Sequence, residues 1–106
     1  MNISDPDDHA IIRALRMNDN DDVACLLDVA SVGDEIEVHD ASGFVVDTVQ
    51  ANADIPRFHK VALKDLEVGA RLRKYGEVIG IVSSPIVRGD YVHVHNLVSA
   101  KVGVGK

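Results

Sequence analysis

The sequence predicts an all-β fold, a small barrel or a compact folded-over sheet with short turns. Three observations carry this expectation. Short apolar runs rich in Val, Ile and Leu are separated by clusters of Asp, Asn, Ser, Gly and Pro, the punctuation of strands and turns. Apolar spacing of the helical kind is scarce. One turn phrase recurs along the chain.

Ala10–Leu15 and Val23–Leu27 flank the turn-forming stretch Met17–Asp22 and predict a hairpin. A helix over Val23–Ala30 competes, because Ala and Leu favour it. Glu35–His39 alternates polar and apolar, Asp40–Gly43 is a turn, and Phe44–Val49 suits a strand, so a second hairpin follows. Gln50–Arg57, with Pro56, is expected as an extended loop, and His59–Leu63 as a short strand. Glu77–Val82 has the composition of a fully buried strand, and Tyr91–His95 alternates and closes the fold. The expected domain is 8–97, between a loose lead-in at 1–7 and a frayed tail at 98–106.

The recurring phrase is Asp28–Ile36, then Asp65–Leu72, then Pro85–Val92. Each copy has a turn-former, an apolar residue, a polar stretch, Gly, two variable positions and an apolar residue. Asp or Pro starts a tight turn, the apolar residue tucks inward, and Gly supplies a backbone angle other residues resist. Gly33 and Gly69 are 36 residues apart and Gly69 and Gly89 are 20 apart. The phrase is therefore a corner reused in one domain, not a solenoid repeat.

With 106 residues and 46% hydrophobic content the chain is sized for one folded domain. Aromatics are only 4% and Trp is absent, so the core must be aliphatic. A formal charge of -6 argues against a general nucleic-acid binder and against an anionic membrane surface as partner. A single cysteine, Cys25, excludes an internal disulfide and a multi-thiolate metal site. The opening residues lack the basic and apolar regions of a signal peptide, and no apolar run approaches a membrane span. A cytoplasmic location is the expectation.

His93 and His95 stand at i and i+2, which on a strand share a face. Two imidazoles pointing the same way suit a shared ion or anion, although partly exposed strand residues have the same spacing. Asn96 follows at an expected strand end, where it can orient a ligand. His59 and Lys60 are adjacent, so only one of the pair is expected to face a common site. His59 is a candidate acid, base or ligand; Lys60 can hold a carboxylate or be solvated. In Lys74–Gly76, Gly76 allows close approach, while Tyr75 either donates a hydrogen bond or packs. Asp5, Asp7, Asp8 and His9, and Asp19, Asp21 and Asp22, have the composition of solvated turns. His39 is expected to be exposed, and Cys25 to be an inert buried thiol.

Three phrases carry a family resemblance: Asp54–Leu63, Lys74–Gly80 and Gly89–Asn96. In order and spacing they resemble the amino-terminal domain of the altronate/galactarate dehydratase family, over roughly residues 8–97. The resemblance implies the SAF, or β-clip, fold. It also implies a β-elimination of water from a sugar acid, giving a 2-keto-3-deoxy acid. On that reading this chain is a separate small subunit, with little activity alone, acting beside a large dehydratase subunit. A divalent metal, iron or manganese, is implied for the whole enzyme and expected mainly on the large subunit. The site residues so implied are His59, Lys60 and Tyr75 for catalysis, Lys60, Lys74 and Asn96 for substrate, and His93 and His95 for metal. Sulfolactate sulfo-lyases share the two-part build and are the first rival; a non-catalytic carbohydrate-binding or assembly module is the second. The chain departs from the family at Phe58, where Gly is usual, and a reshaped loop beside His59 would leave the substrate open. Exposed sheet edges make a homodimer or trimer an expectation as well.

Overall fold

The computed structural model describes residues 11–99, which form nine strands and, among the described residues, no helix. The strands are β1 (Ile12–Leu15), β2 (Val23–Leu26), β3 (Glu35–His39), β4 (Val45–Gln50), β5 (Lys60–Ala62), β6 (Arg71–Lys74), β7 (Glu77–Val82), β8 (Tyr91–Val92) and β9 (Leu97–Ser99). Six build one sheet in the order β4-β3-β1-β2-β5-β8, and three build a second in the order β6-β7-β9. Only the β1–β3 pair is parallel. The lead-in and Lys101–Lys106 lie outside the described residues, as does His9.

Both expected hairpins form, and β2 is a strand, not a helix. Its environment overrides the propensity of Ala and Leu. Cross-strand partners point to the same side of a sheet. Val23 and Ala62 are partners and enter one core, with Leu72, Val82, Ile86 and Val92; Ala24 and Val61 are partners and enter the other, with Leu26, Ile36, Val38 and Ile55. The β2–β5 pair is thus buried on both faces, which a helix of the same residues could not achieve.

Three expectations about strands need correction. β7 is not fully buried, because Glu77 and Ile81 are exposed while Gly80 and Val82 face the core. The strand expected over Tyr91–His95 ends at Val92, and His93–Asn96 is a turn. Folded structure continues through β9 to Ser99, past the expected boundary at 97.

The corner occurs four times, not three. Gly33, Phe58, Gly69 and Gly89 all have positive φ, at 92, 69, 91 and 96°. Each is the third residue of a four-residue turn closed by a backbone bond: Asp34 to Ser31, His59 to Pro56, Ala70 to Glu67 and Asp90 to Val87. That is the pattern of a type II turn. Each of the four also donates its own N–H to a strand end, at Ala51, Leu26, Val82 and Ala62 in turn. The corners lock in pairs through two bridges, Ala30 with Ile55 and Leu66 with Ile86. In each pair one aspartate caps the other's turn: Asp54 accepts from the Val32 N–H, and Asp65 from the Arg88 N–H.

The two sheets are tied by a pair of carboxylates. Asp21 and Asp22 are only 4% and 5% exposed, contrary to the solvated turn expected there. Asp21 accepts the N–H groups of Asn18, Tyr75 and Gly76; Asp22 accepts that of Arg73 and pairs with Lys64. The Tyr75–Gly76 loop between β6 and β7 has φ of 58 and 76° at its two residues, the signature of a type I′ hairpin. Asp21 holds its tip.

Candidate functional site

Four rings converge where β8 leaves the sheet. Tyr91, on β8, pairs with Val61 of β5. This brings its ring beside His59, which leaves the second corner just before β5. The Tyr91 hydroxyl lies 2.7 Å from His59 Nδ1. His93 stacks on Tyr91, with centroids 5.5 Å apart and planes 10° apart, and meets His59 edge-on at 5.0 Å. His95 packs on Tyr91 at 5.6 Å.

The turn that presents His93 and His95 is built by Asn96. Its side chain, 4% exposed, accepts the His93 N–H and donates to the Tyr91 carbonyl. Both ends of the amide hold backbone, so Asn96 shapes the turn, and it also lines a depression beside Tyr91 and His95. Because β8 stops at Val92, His93 and His95 do not share a strand face; what they share is the Tyr91 ring.

Lys60 is half-buried at the same place. Its pKa is lowered, by burial first and by the charge of Lys74 second. Among the described residues no carboxylate lies within ion-pair reach of Lys60 or Lys74. Partial removal from water lowers the pKa of His93, and the charges of His59, Lys60 and His95 add to this in that order. His59 and Lys60 therefore both bear on His93, against the expectation that only one of them faces the site. Alternation does not apply, because His59 belongs to the turn and Lys60 to the strand. A depression of about 310 Å³ lies against Lys60, His93, Ile79 and Leu97, and a second of about 350 Å³ against Tyr91, His95 and Ser84.

In a chain of net charge -6 this is a concentration of amine and imidazole groups with no ion-paired carboxylate among the described residues. Such a patch suits an anion. It does not make a metal site by itself. No three His, Cys, Asp or Glu among the described residues are placed to hold an ion, and one nitrogen of His59 is already engaged by Tyr91. The donors fit at most a contribution to an ion held elsewhere.

Residues 12–100 match the family model described as the altronate/galactarate dehydratase SAF domain. The chain belongs to this family. It is 38% identical over 76 residues to altronate dehydratase of Escherichia coli (strain K12), covering 72% of this chain and 14% of the relative. Altronate dehydratase of Bacillus subtilis (strain 168) is 29% identical over 82 residues, 77% of this chain and 15% of the relative. The alpha subunit of (2R)-sulfolactate sulfo-lyase from Paracoccus pantotrophus is 50% identical over 46 residues, 43% of this chain and 69% of the relative. The SAF domain thus spans about one seventh of the length of the altronate dehydratases.

Around its ring cluster, the SAF domain places the other expected residues unequally. Lys74 reaches the neighbourhood of Lys60, and its ammonium sits 4.9 Å over the Tyr75 ring. Tyr75 is exposed at the hairpin tip and lines a different cavity of about 210 Å³ with Leu15, Met17 and Cys25. Cys25 is half-exposed there, not buried. His39 is half-buried and engages Glu37, far along the sheet on β3.

Phe58 takes a left-handed backbone, φ 69°, as glycine does at the other three corners, so the turn beside His59 closes without a glycine. The cost is left-handed strain of about 1 kcal/mol. What changes is the surface: a ring 64% exposed, with the Arg57 guanidinium 4.7 Å above it. Tyr91 was missed as a site residue. Its signal was the 91, 93, 95 spacing of ring-bearing residues, visible in the sequence but read only for its histidines.

No helix among the described residues is long and apolar enough to cross a membrane.

Proposed function

We propose that this SAF domain is the small subunit of a sugar-acid dehydratase. It caps the active site of a large catalytic chain and supplies imidazole and amine groups to the substrate carboxylate. The observation that carries this reading is the convergence of His59, Lys60, His93 and His95 with no carboxylate partner among the described residues. The reaction is the elimination of water from a hydroxy acid. A base removes the proton beside the carboxylate, and the hydroxyl on the next carbon leaves with a proton. Cationic groups held at the carboxylate favour the dianionic intermediate over the ground state. Lys60, with Lys74 behind it, is the group for the carboxylate. His93, held neutral by its lowered pKa, is suited to accept a proton. Tyr75 and Asn96 have no direct part in this scheme.

A divalent metal, if the assembled enzyme uses one, is held mainly by the large chain. A homo-oligomer formed through exposed edges remains compatible with the same site. The test is reconstitution with the cognate large chain. Water elimination from altronate-type acids should require both chains, and Lys60→Met should abolish it without preventing association. Full activity of the large chain alone would refute the proposal.

A second reading has its own support. The Paracoccus relative is a named subunit, and this chain covers most of it. On that reading the assembled enzyme eliminates sulfite from sulfolactate. A substrate panel with sulfite detection separates the two.

A further inference from the structure

We propose that the Tyr91 hydroxyl fixes His59 as the Nε2–H tautomer, so that this chain offers a hydrogen-bond donor to an oxygen of the bound acid and not a lone pair to a metal ion. The inference assigns Tyr91 as a positioning residue. Its functional consequence rests on the dehydratase reading above; its chemistry does not.

At 2.7 Å the Tyr91 oxygen and His59 Nδ1 share one proton. A phenol is a good donor and a poor acceptor, whereas the unprotonated nitrogen of an imidazole is a strong acceptor. The bond therefore runs from the hydroxyl to Nδ1. A neutral imidazole carries one N–H, so the proton of His59 sits on Nε2. No described residue takes a hydrogen bond from that nitrogen.

The phenol cannot turn away. Its ring is stacked on His93 and packed against the first core. Its backbone is pinned to Val61 on one side and to the Asn96 amide on the other. A metal-ligating histidine has the opposite arrangement, with its second nitrogen donating to an acceptor and the ligating nitrogen bare. At His59 the second nitrogen faces a donor. What Nε2–H can meet is an oxygen, the hydroxyl or carboxylate of a hydroxy acid.

The test is long-range proton–nitrogen correlation NMR on the full chain, labelled with ¹⁵N, at pH 8. The expected spectrum shows His59 Nε2 as a protonated, pyrrole-type nitrogen and Nδ1 as a bare, pyridine-type one. In Tyr91→Phe the two nitrogens should move toward intermediate values, because nothing then selects a tautomer. Equimolar Zn²⁺ should leave the wild-type His59 resonances in place. A pyrrole-type Nδ1 in the wild type, an unchanged spectrum in Tyr91→Phe, or a Zn²⁺-induced shift of Nε2 would each overturn the assignment. In the assembled enzyme, Tyr91→Phe should lower kcat roughly five- to tenfold, the worth of one orienting hydrogen bond, and Tyr91→Phe turnover equal to wild type would count against it. An inactive wild-type mixture that still shows the Nε2–H signature supports the tautomer and refutes the dehydratase reading.

Discussion

Replacing Asp21 with Asn should destabilise the fold through two backbone N–H groups more than fifty residues away in the chain. The carboxylate accepts from Asn18 and Tyr75 with one oxygen, at 3.2 and 3.0 Å, and from Gly76 with the other, at 2.8 Å. An amide of the same shape has one accepting oxygen. Whichever way it turns, at least one of these N–H groups faces an NH₂ and is left without an acceptor. An unsatisfied buried donor costs about 1–3 kcal/mol. For a domain of this size that corresponds to a fall in Tm of roughly 5–15 °C. Asp21→Ala removes all three bonds and should cost at least about 3 kcal/mol. Asp19, nearby and with its side chain 96% exposed, is the control, and Asp19→Asn should stay within about 0.5 kcal/mol. Thermal unfolding followed by circular dichroism gives the totals. Hydrogen exchange at the Tyr75 and Gly76 amides locates them. Equal melting of Asp21→Asn and Asp19→Asn, or protection at those two amides unchanged, would refute the reasoning.

Lys60→Met should stabilise the isolated chain at pH 7 by about 0.5 kcal/mol, a modest figure because the side chain is only partly buried; calorimetry checks it. The sign follows from the lowered pKa of Lys60: full stability is present only above the ordinary lysine range and is lost as pH falls through the lowered value. Asp47 titrates below its ordinary range, chiefly because Arg88 hydrogen-bonds both its oxygens at 2.7 Å. Its stabilisation is present above the ordinary carboxylate range and lost as pH falls through the lowered value, so Asp47→Asn should flatten the acid limb of a urea-midpoint curve. Gly33→Ala should cost only the left-handed backbone, about 1 kcal/mol, because among the described residues beyond its chain neighbours nothing lies within 4 Å of its added methyl. Gly89→Ala should cost about 2–4 kcal/mol, because there the methyl would collide with the Gln50 carbonyl. Denaturant midpoints of the two variants test the difference.

The hairpins were legible because alternation in Glu35–His39 and turn residues in Asp40–Gly43 act locally. The corner was legible wherever glycine marks it, and invisible at Phe58, where tertiary contacts hold a residue that no turn rule would choose. β6 escaped because Arg71-Leu72-Arg73-Lys74 has a single buried residue; an edge strand can be charged on its open side. The burial of Asp21 and Asp22 escaped because their partners are backbone groups of a distant hairpin, which carry no side-chain signature. At the site, His59, Lys60, His93 and His95 do come together, but not by the route expected. A turn shaped by Asn96 and a shared tyrosine ring replace the common strand face.

The β2–β5 ribbon is a partition between two compartments, and its thickness is set by alanines. Ala24 leaves room on one side and Ala62 on the other, each opposite a valine. A larger side chain at either place would push through the divider, so crowding introduced beneath the first hairpin would be felt at the foot of Lys60. Sequence drift in the interior is thereby coupled to the geometry of the rings outside it.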